Sequence, residues 1–236
     1  MEMGKVLVDG DIIAYRAAFS TENMGSSETE EKIDSLMHYI LRETVLFPPQ
    51  AEDFVVFLTG KGNFRNEISK SHVYKGNRKS AEKPRHLQHA RDYMVSKYGA
   101  IISQGEEADD LIAINAAKLD YKACVASIDK DMLQIPCHHF NIVKGKTTKV
   151  TPSEGIKFFY TQILTGDRAD NIVGLWRVGP AKAAKILEGA ETEVDLWDRV
   201  VEAYDGNEER VIENARLLWL RREEGEIWQP PKQKST

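Results

Sequence analysis

The chain has 236 residues, with 32 Lys and Arg against 37 Asp and Glu, which gives a formal net charge of −5. Hydrophobic residues make up 42% and charged residues 29%, a balance typical of one large or two small globular domains and not of a disordered or membrane-spanning chain. There is no secretory signal or bilayer-length apolar run, and two cysteines make no disulfide framework, so we expect a cytoplasmic protein with reduced thiols.

The first two thirds of the chain alternate between strand-like and helix-like patterns. Short apolar runs predict strands over four segments: 5–10, 53–60, 100–104 and 121–129. Helical periodicity predicts helices over 32–46, 84–99 and 107–119, and polar composition predicts a loop over 20–31. A hairpin is predicted around residue 146, and the pattern is helical from Pro152 to about residue 220. This alternation predicts an α/β fold with a largely parallel sheet.

Acidic residues follow the predicted strands. They are Asp9 and Asp11, then Glu107, Asp109 and Asp110, then Asp129 and Asp131, with Asp167 and Asp170 further along. The carboxyl ends of parallel strands meet at one edge of a sheet, so we expect acids from three strand ends to converge. Oxygen ligands without Cys or His favour Mg²⁺ or Mn²⁺, and two such ions can clamp a phosphodiester. Taken alone, each motif is also compatible with a turn, a helix N-terminus or a surface tripeptide. Glu106 is expected to be surface charge.

A basic segment covers residues 61–97, with ten Lys and Arg against three Asp and Glu. Such a segment suits a protein that grips phosphates, although a solvated helical face is an equal alternative. Within it, "YKGNRK" places Tyr74 beside Lys75, Arg78 and Lys79. An aromatic ring that stacks on a base, flanked by cations that pair with phosphates, is a single-strand binding pattern, and an exposed loop is the alternative.

A glycine-rich element, "NIVGLWRVGPAKAAKIL", covers residues 171–187. Gly174 and Gly179 permit a tight turn between helices, and Pro180 suits the first turn of the second helix. Backbone N–H groups at that helix start, with Lys182 and Lys185 one turn in, are suited to binding a DNA backbone without reading sequence. The alternative is a plain helix-packing unit, in which Leu175, Trp176 and Val178 would serve as well.

Taken in order, "VDGD", "YKGNRK", "EADD", "SIDKD" and "TGDRADNIVG…VGPAKA" resemble the 5′→3′ exonuclease and flap endonuclease family, particularly the short phage-encoded exonucleases. The resemblance runs from about Val6 to Leu187. It implies a PIN-like α/β core over 1–150, mostly parallel, that includes a basic arch region at 61–97. It also implies a helical region over 151–236 that carries a helix–three-turn–helix DNA-binding motif at about 163–188 and packs as one unit with the core.

The resemblance also assigns site residues. It implies metal ligands at Asp9, Glu107, Asp109, Asp110, Asp129, Asp131, Asp167 and Asp170, with two Mg²⁺ or Mn²⁺ ions. It implies catalytic arch residues at Tyr74, Lys75 and Arg78, with Lys75 offsetting charge on the attacked phosphate. DNA-binding residues are expected at Arg65, Tyr74, Lys75, Arg78, Lys79, Gly174, Gly179, Lys182 and Lys185, with K⁺ at the glycine-rich turn.

One departure from the family pattern concerns the second strand, which usually ends in Asp. Here the candidates are Leu58, Thr59 and Gly60, and none is a carboxylate. Asp11 is a candidate to compensate for the missing ligand.

The favoured function is metal-dependent hydrolysis of DNA from 5′ ends, by a monomer without membrane association that acts on duplexes with a 5′ end, flap or overhang. Whether RNA–DNA hybrids are also substrates stays open. Two alternatives stay open. A haloacid-dehalogenase-type phosphatase would use "VDGD" as its nucleophile pair but leaves "EADD" and "SIDKD" unexplained. A catalytically weak, structure-specific DNA-binding protein would account for the missing Asp.

Overall fold

The computed structural model describes residues 5–44, 53–77 and 82–232. The chain divides into two compact units. The first comprises Met1–Asn63, Glu82–Thr151 and Arg222–Glu224, and the second comprises Phe64–Ala81, Pro152–Arg221 and Gly225–Thr236. The described residues 64–77 thus belong with the C-terminal helices, whereas the sequence led us to place the whole of 61–97 in the N-terminal core. No helix among the described residues is both long and apolar enough to span a membrane.

The first unit is built on a six-stranded sheet in the order β3-β2-β1-β4-β5-β6. The strands are β1 Val6–Asp9, β2 Phe54–Lys61, β3 Ile101–Gln104, β4 Cys124–Ser127, β5 His138–Asn141 and β6 Lys146–Lys149. All neighbouring pairs are parallel except β5 and β6, which form the predicted antiparallel hairpin. The predicted α/β class with a mostly parallel sheet is confirmed. Because β1 to β4 are parallel, their carboxyl ends lie along one edge.

Helices pack on the sheet of the first unit. They are α1 Gly10–Ser20, α2 Ser26–Thr44, α4 Leu87–Tyr98 and α5 Ala108–Lys118. Val6 and Val8 of β1 join a core formed with α1, α2 and α4, whereas α5 packs on β1 and β2. A short 3₁₀ helix, Lys130–Gln134, follows β4.

Two helix boundaries differ from the sequence prediction. The loop predicted over 20–31 is too long: only residues 21–25 are non-helical, because α1 runs to Ser20 and α2 begins at Ser26. Ser26, Ser27 and Glu28 provide polar and acidic residues in the first turn, where they stabilise a helix start, and the buried Thr29 hydroxyl bonds that of Thr21 at 2.7 Å. The helix predicted over 84–99 begins only at Leu87, and it ends as expected at Gly99, with φ 62°.

The second unit is mainly helical. Its elements are α3 Arg65–Ile68, α6 Pro152–Thr165, β7 Gly166–Asp167, β8 Ile172–Val173, α7 Pro180–Ile186, α8 Glu193–Ala203 and α9 Glu208–Leu218. Phe159 lies at the centre of an aromatic core, with ring centres 4.9 Å from Trp219 and 5.6 Å from Trp228. The small antiparallel pair β7–β8 interrupts the helical pattern predicted from Pro152 onward.

Candidate active site

Asp9 ends β1 and caps α1. One carboxylate oxygen accepts from the N–H of Ile12 at 3.2 Å, and the other accepts from the Ser127 hydroxyl at 2.7 Å. The side chain is buried, with the residue 3% exposed. Burial raises the pKa of Asp9 to about 7, against the lowering effect of the bonds from Ser127 and Ile12, and the charges of Asp11 and Asp129 raise the pKa further. This carboxylate is therefore ionised at a cost that a cation would relieve.

Ser127 links the ends of β1 and β4. Its hydroxyl oxygen, which donates to Asp9, also accepts from the N–H of Asp129 at 3.0 Å. The exposed Asp129 in turn caps the 3₁₀ helix by accepting from the N–H of Asp131 at 2.9 Å. Ser127 was not among the residues predicted from the sequence, where it appears only as a small polar residue at the end of a buried strand.

The start of α5 brings three further acids to the edge. Glu107 is the N-cap, and its N–H donates to Asp110 at 3.2 Å in a capping box. Asp110 is fully buried. The pKa of Asp109 is held well above its usual value, first by burial and then by the charges of Asp9, Asp129, Glu107 and Asp110. Carboxylates from the ends of β1 and β4 and from the loop after β3 therefore lie near enough to interact electrostatically. This convergence was predicted from the shared edge of the parallel strands.

The position of Glu106 contradicts the sequence prediction. We expected it to be surface charge, but it is buried, and its carbonyl accepts from the Ser103 hydroxyl at 2.6 Å. The turn between β3 and α5 thus lies closer to the sheet than its density of charge suggests.

The donor set fits a hard divalent cation. The acids that influence one another are all carboxylates, which is the ligand type of Mg²⁺ and Mn²⁺. As the side chains stand, no group of three or more His, Cys, Asp or Glu in residues 5–44, 53–77 and 82–232 is arranged to hold a metal ion. The acids at this edge are nevertheless near enough for their charges to raise the pKa values of Asp9 and Asp109.

The end of β2 carries no carboxylate. Leu58 is fully buried in the core, and a Cβ at Gly60 would lie 1.9 Å from the Ser103 carbonyl oxygen. Thr59 occupies the remaining position, and its backbone N–H donates to Asp11 at 2.8 Å. The other Asp11 oxygen is paired with the Arg91 guanidinium. Asp11 is therefore committed to an ion pair, and its service as a metal ligand stays a prediction.

In the second unit, Asp167 ends β7 and Asp170 lies on the turn between β7 and β8. Asp167 accepts from the N–H of Ala169 at 2.6 Å, which closes the turn. Asp170 accepts from the Tyr74 hydroxyl at 2.8 Å and lies 3.7 Å from the Lys75 ammonium group. These contacts join the predicted arch residues to the predicted acids within one unit. Their membership of the metal site stays a prediction.

Two of the residues predicted to contact nucleic acid are buried. The Arg65 residue is only 2% exposed, because its guanidinium donates to the carbonyls of Leu217 and Trp219, both at 2.8 Å, at the end of α9. Tyr74 is 6% exposed and packs in the core of the second unit, so its ring is not available to stack on a base. Arg78 and Lys79 lie outside the described residues.

The glycine-rich turn keeps its predicted cations accessible, since Lys182 and Lys185 on α7 are both exposed. Gly174 is required by crowding: a Cβ there would lie 2.3 Å from the Thr165 carbonyl carbon. Gly179 is not required by the backbone, because its φ is −101° and a Cβ would meet nothing within 4 Å.

The model of the "5′-3′ exonuclease, N-terminal resolvase-like domain" matches residues 5–162. The chain belongs to the 5′-3′ exonuclease family. It is 29% identical over 214 residues to the 5′-3′ exonuclease of Buchnera aphidicola subsp. Schizaphis graminum, covering 83% of this chain and 73% of that protein. It is also 29% identical over 212 residues to DNA polymerase I of Bacillus caldotenax, of which it spans only 23%.

Two solved structures share the fold. The phage T5 D15 protein co-crystallised with metal ions has a TM-score of 0.72 at 18% identity, and the match covers 91% of this chain and 89% of that one. The T5 D15 flap endonuclease in a pseudo-enzyme–product complex with DNA and metal ions has a TM-score of 0.69 at 19% identity, covering 91% and 88%. At these identities the likeness establishes the resolvase-like architecture.

Proposed function

We propose that this exonuclease-family chain hydrolyses phosphodiester bonds of DNA from 5′ ends with the help of Mg²⁺ or Mn²⁺. The observation that carries the proposal is the convergence of acids at one edge of a parallel sheet: Ser127 bridges Asp9 and Asp129, and both acids lie near enough to Asp109 to raise its pKa. The raised pKa values of Asp9 and Asp109, caused by burial and by neighbouring acids, are of the kind found at functional sites. The exonuclease relative from Buchnera supports the same reaction class.

Asp9, Asp109 and Asp129 would hold the cation, with Glu107, Asp110 and Asp131 beside them. When bound, a divalent ion lowers the pKa of a coordinated water and offsets charge on the attacked phosphate. Ser127 has a separate role: its hydroxyl holds Asp9 and the backbone of Asp129 together, so that both acids keep their orientation. Such supporting contacts to ligands strongly affect metal affinity.

Lys75 is the described arch residue best suited to act on the phosphate. Its ammonium group lies 3.7 Å from Asp170 and its side chain keeps 22% exposure, so it is held in place yet partly open to solvent. We propose that Lys75 offsets charge on the scissile phosphate. Lys182 and Lys185 would hold the duplex by its backbone, a contact that depends on charge and not on sequence.

The phosphatase alternative is disfavoured by Asp11. A DxD phosphatase needs its second Asp free to exchange a proton, whereas here both Asp11 oxygens are occupied, by Arg91 and by the Thr59 N–H. The weak-binder alternative rests on the missing β2 carboxylate and is decided by assay.

The test is the incubation of the chain with duplex DNA that carries a 5′ flap, labelled at its 5′ or 3′ end, with Mg²⁺ and then with EDTA. We expect short 5′-labelled products that appear with Mg²⁺ and cease with EDTA. Tight binding of the flap substrate without any metal-dependent cleavage would overturn the proposal in favour of a binding protein.

A further inference from the structure

Trp176 is the most exposed large hydrophobic side chain of the described residues, at 84%. Its neighbours behave differently, because Leu175 and Val178 pack against the core of the second unit. An isolated apolar residue on a surface needs no explanation, but a tryptophan at this exposure is a large apolar area left in water. The ring is therefore not accounted for by packing, which was one of the two uses that the sequence allowed.

Arg177 accompanies the ring in an unusual conformation. Its guanidinium carbon lies 5.5 Å from the centre of the Trp176 ring, and its backbone φ is 56°, a left-handed value that non-glycine residues rarely adopt. The segment from Ile172 to Leu187 also carries Lys182 and Lys185 and contains no acid. Thus the aromatic ring lies in a locally cationic stretch of a chain with net charge −5, which suits a polyanion.

We propose that Trp176 and Arg177 form a stacking contact for unpaired bases of the DNA substrate, in addition to backbone contacts from the lysines. Every base offers a flat face, so an exposed tryptophan beside cations binds unpaired bases without sequence preference. This inference rests on the proposed function, since it concerns how the same substrate is held. A protein partner or a second copy of the chain would be the competing occupant of the ring.

The experiment measures DNA binding by fluorescence anisotropy in EDTA, so that no cleavage occurs. One probe is a blunt duplex, and the other is the same duplex with a single-stranded extension. We expect Trp176→Ala to weaken binding of the extended DNA about tenfold at every salt concentration and that of the blunt duplex less than twofold, because stacking releases no counterions. Trp176→Phe should retain affinity within about threefold, because a ring remains.

Lys182→Ala is the matched control. This variant should bind both probes more weakly. It should also lower the slope of log affinity against log salt concentration by about one unit or less, because it removes a phosphate contact. A Trp176→Ala protein with unchanged affinity, with equal losses on both probes, or with an altered oligomeric state in gel filtration would overturn the inference. Failure of the wild type to bind either probe would instead count against the proposed function.

A second inference rests on an independent observation, the bonding of Thr59 at the end of β2. Its N–H donates to Asp11 at 2.8 Å, and its carbonyl accepts from Arg91, which also pairs with Asp11. Its hydroxyl oxygen accepts from the N–H of Ala108 at 3.0 Å. The backbone N–H, the carbonyl and the hydroxyl oxygen of this one residue are thus all bonded to other elements.

Ala108 is the first residue of α5 and lies between Glu107 and Asp109. We infer that Thr59, held by the Asp11–Arg91 pair, is a positioning residue for these acids, and that it does so from the place where the family pattern has a carboxylate. The hydroxyl fixes the start of α5, and the ion pair fixes the hydroxyl. This inference also rests on the proposed function, because it assumes that the acids of α5 bind a cation.

The test is Mn²⁺ binding to the protein without DNA, followed by the electron paramagnetic resonance signal of free Mn²⁺. We expect Thr59→Val, which keeps the shape but removes the hydroxyl, to bind Mn²⁺ about tenfold more weakly, while Thr59→Ser stays within about twofold. DNA affinity in EDTA and the melting temperature of Thr59→Ser serve as controls for folding. Equal Mn²⁺ affinity of the Val variant and the wild type would overturn the positioning role, whereas absence of Mn²⁺ binding by the wild type would count against the proposed metal site.

Discussion

At the scale of single residues, the ionised carboxylate of Asp9 destabilises the folded chain when no cation is bound. Its pKa is raised from 3.8 to about 7, with burial as the main cause. A raised carboxylate pKa stabilises the fold below the unfolded value, and that stabilisation is lost as pH rises through the folded value. Without a divalent cation, the chain should therefore become less stable between about pH 4 and pH 7.

The measurement is urea unfolding in EDTA at pH 5 and pH 8. We expect the wild type to lose about 2 kcal/mol more over this interval than Asp9→Asn, which cannot ionise. Adding Mg²⁺ at pH 8 should restore stability to the wild type, since the cation binds the ionised folded form. Equal losses in the wild type and the variant would contradict the assigned environment of Asp9.

Substitution of Asp129 should reduce cleavage of DNA while leaving DNA binding largely unchanged. Asp129→Asn keeps the size of the side chain but removes the charge, so we expect cleavage of flap DNA to fall at least about a hundredfold. DNA affinity should stay within about threefold, because the lysines of the second unit are unchanged. The matched control is Asp120→Asn, an exposed residue at φ 50°, where asparagine is well tolerated and full activity is expected. Retained cleavage in Asp129→Asn would refute its ligand role.

At the scale of secondary-structure elements, the two glycines of the glycine-rich turn differ: packing requires a glycine at position 174 but not at position 179. Gly174→Ala should destabilise the fold by about 2 kcal/mol or more, because the new Cβ would lie 2.3 Å from backbone of Thr165. Gly179→Ala should change stability by less than about 0.5 kcal/mol, since its Cβ would meet nothing within 4 Å. Urea unfolding of the two variants measures both values.

Equal destabilisation by the two alanines would contradict the structure of the turn. A weaker affinity of Gly179→Ala for DNA at unchanged stability would show that the open space at Gly179 is used by a ligand.

The extent of successful sequence prediction also differs between elements. Apolar runs and helical periods located β1 to β6 and most helices, because burial on a sheet or a helix face leaves a strict period. The strand-end acids came together because topology alone decides which ends share an edge. Arg65 and Tyr74 were misjudged because charge and aromaticity do not reveal partners: a buried arginine that satisfies helix-end carbonyls looks in sequence like one that binds phosphate.

At the scale of the whole molecule, the residues proposed to bind metal and those proposed to bind DNA lie in different units. The first carries the coupled acids of β1, β4 and α5, and the second carries Lys75, the exposed lysines of α7 and the Trp176–Arg177 pair. Thr59 and Ser127 could not be predicted as supports, because their roles depend on hydrogen bonds between segments 49 and 118 residues apart. Such long-range contacts leave no local pattern in a single sequence.

The central claim, that the acids at the sheet edge bind divalent cations, is tested most directly by an anomalous difference map from crystals soaked in Mn²⁺ at pH 8. At this pH the raised pKa of Asp9 no longer opposes ionisation. The account predicts Mn²⁺ peaks within bonding distance of carboxylate oxygens of Asp9, Asp109 and Asp129. A map without manganese at these acids, from crystals of protein that still cleaves DNA in Mn²⁺, would contradict it.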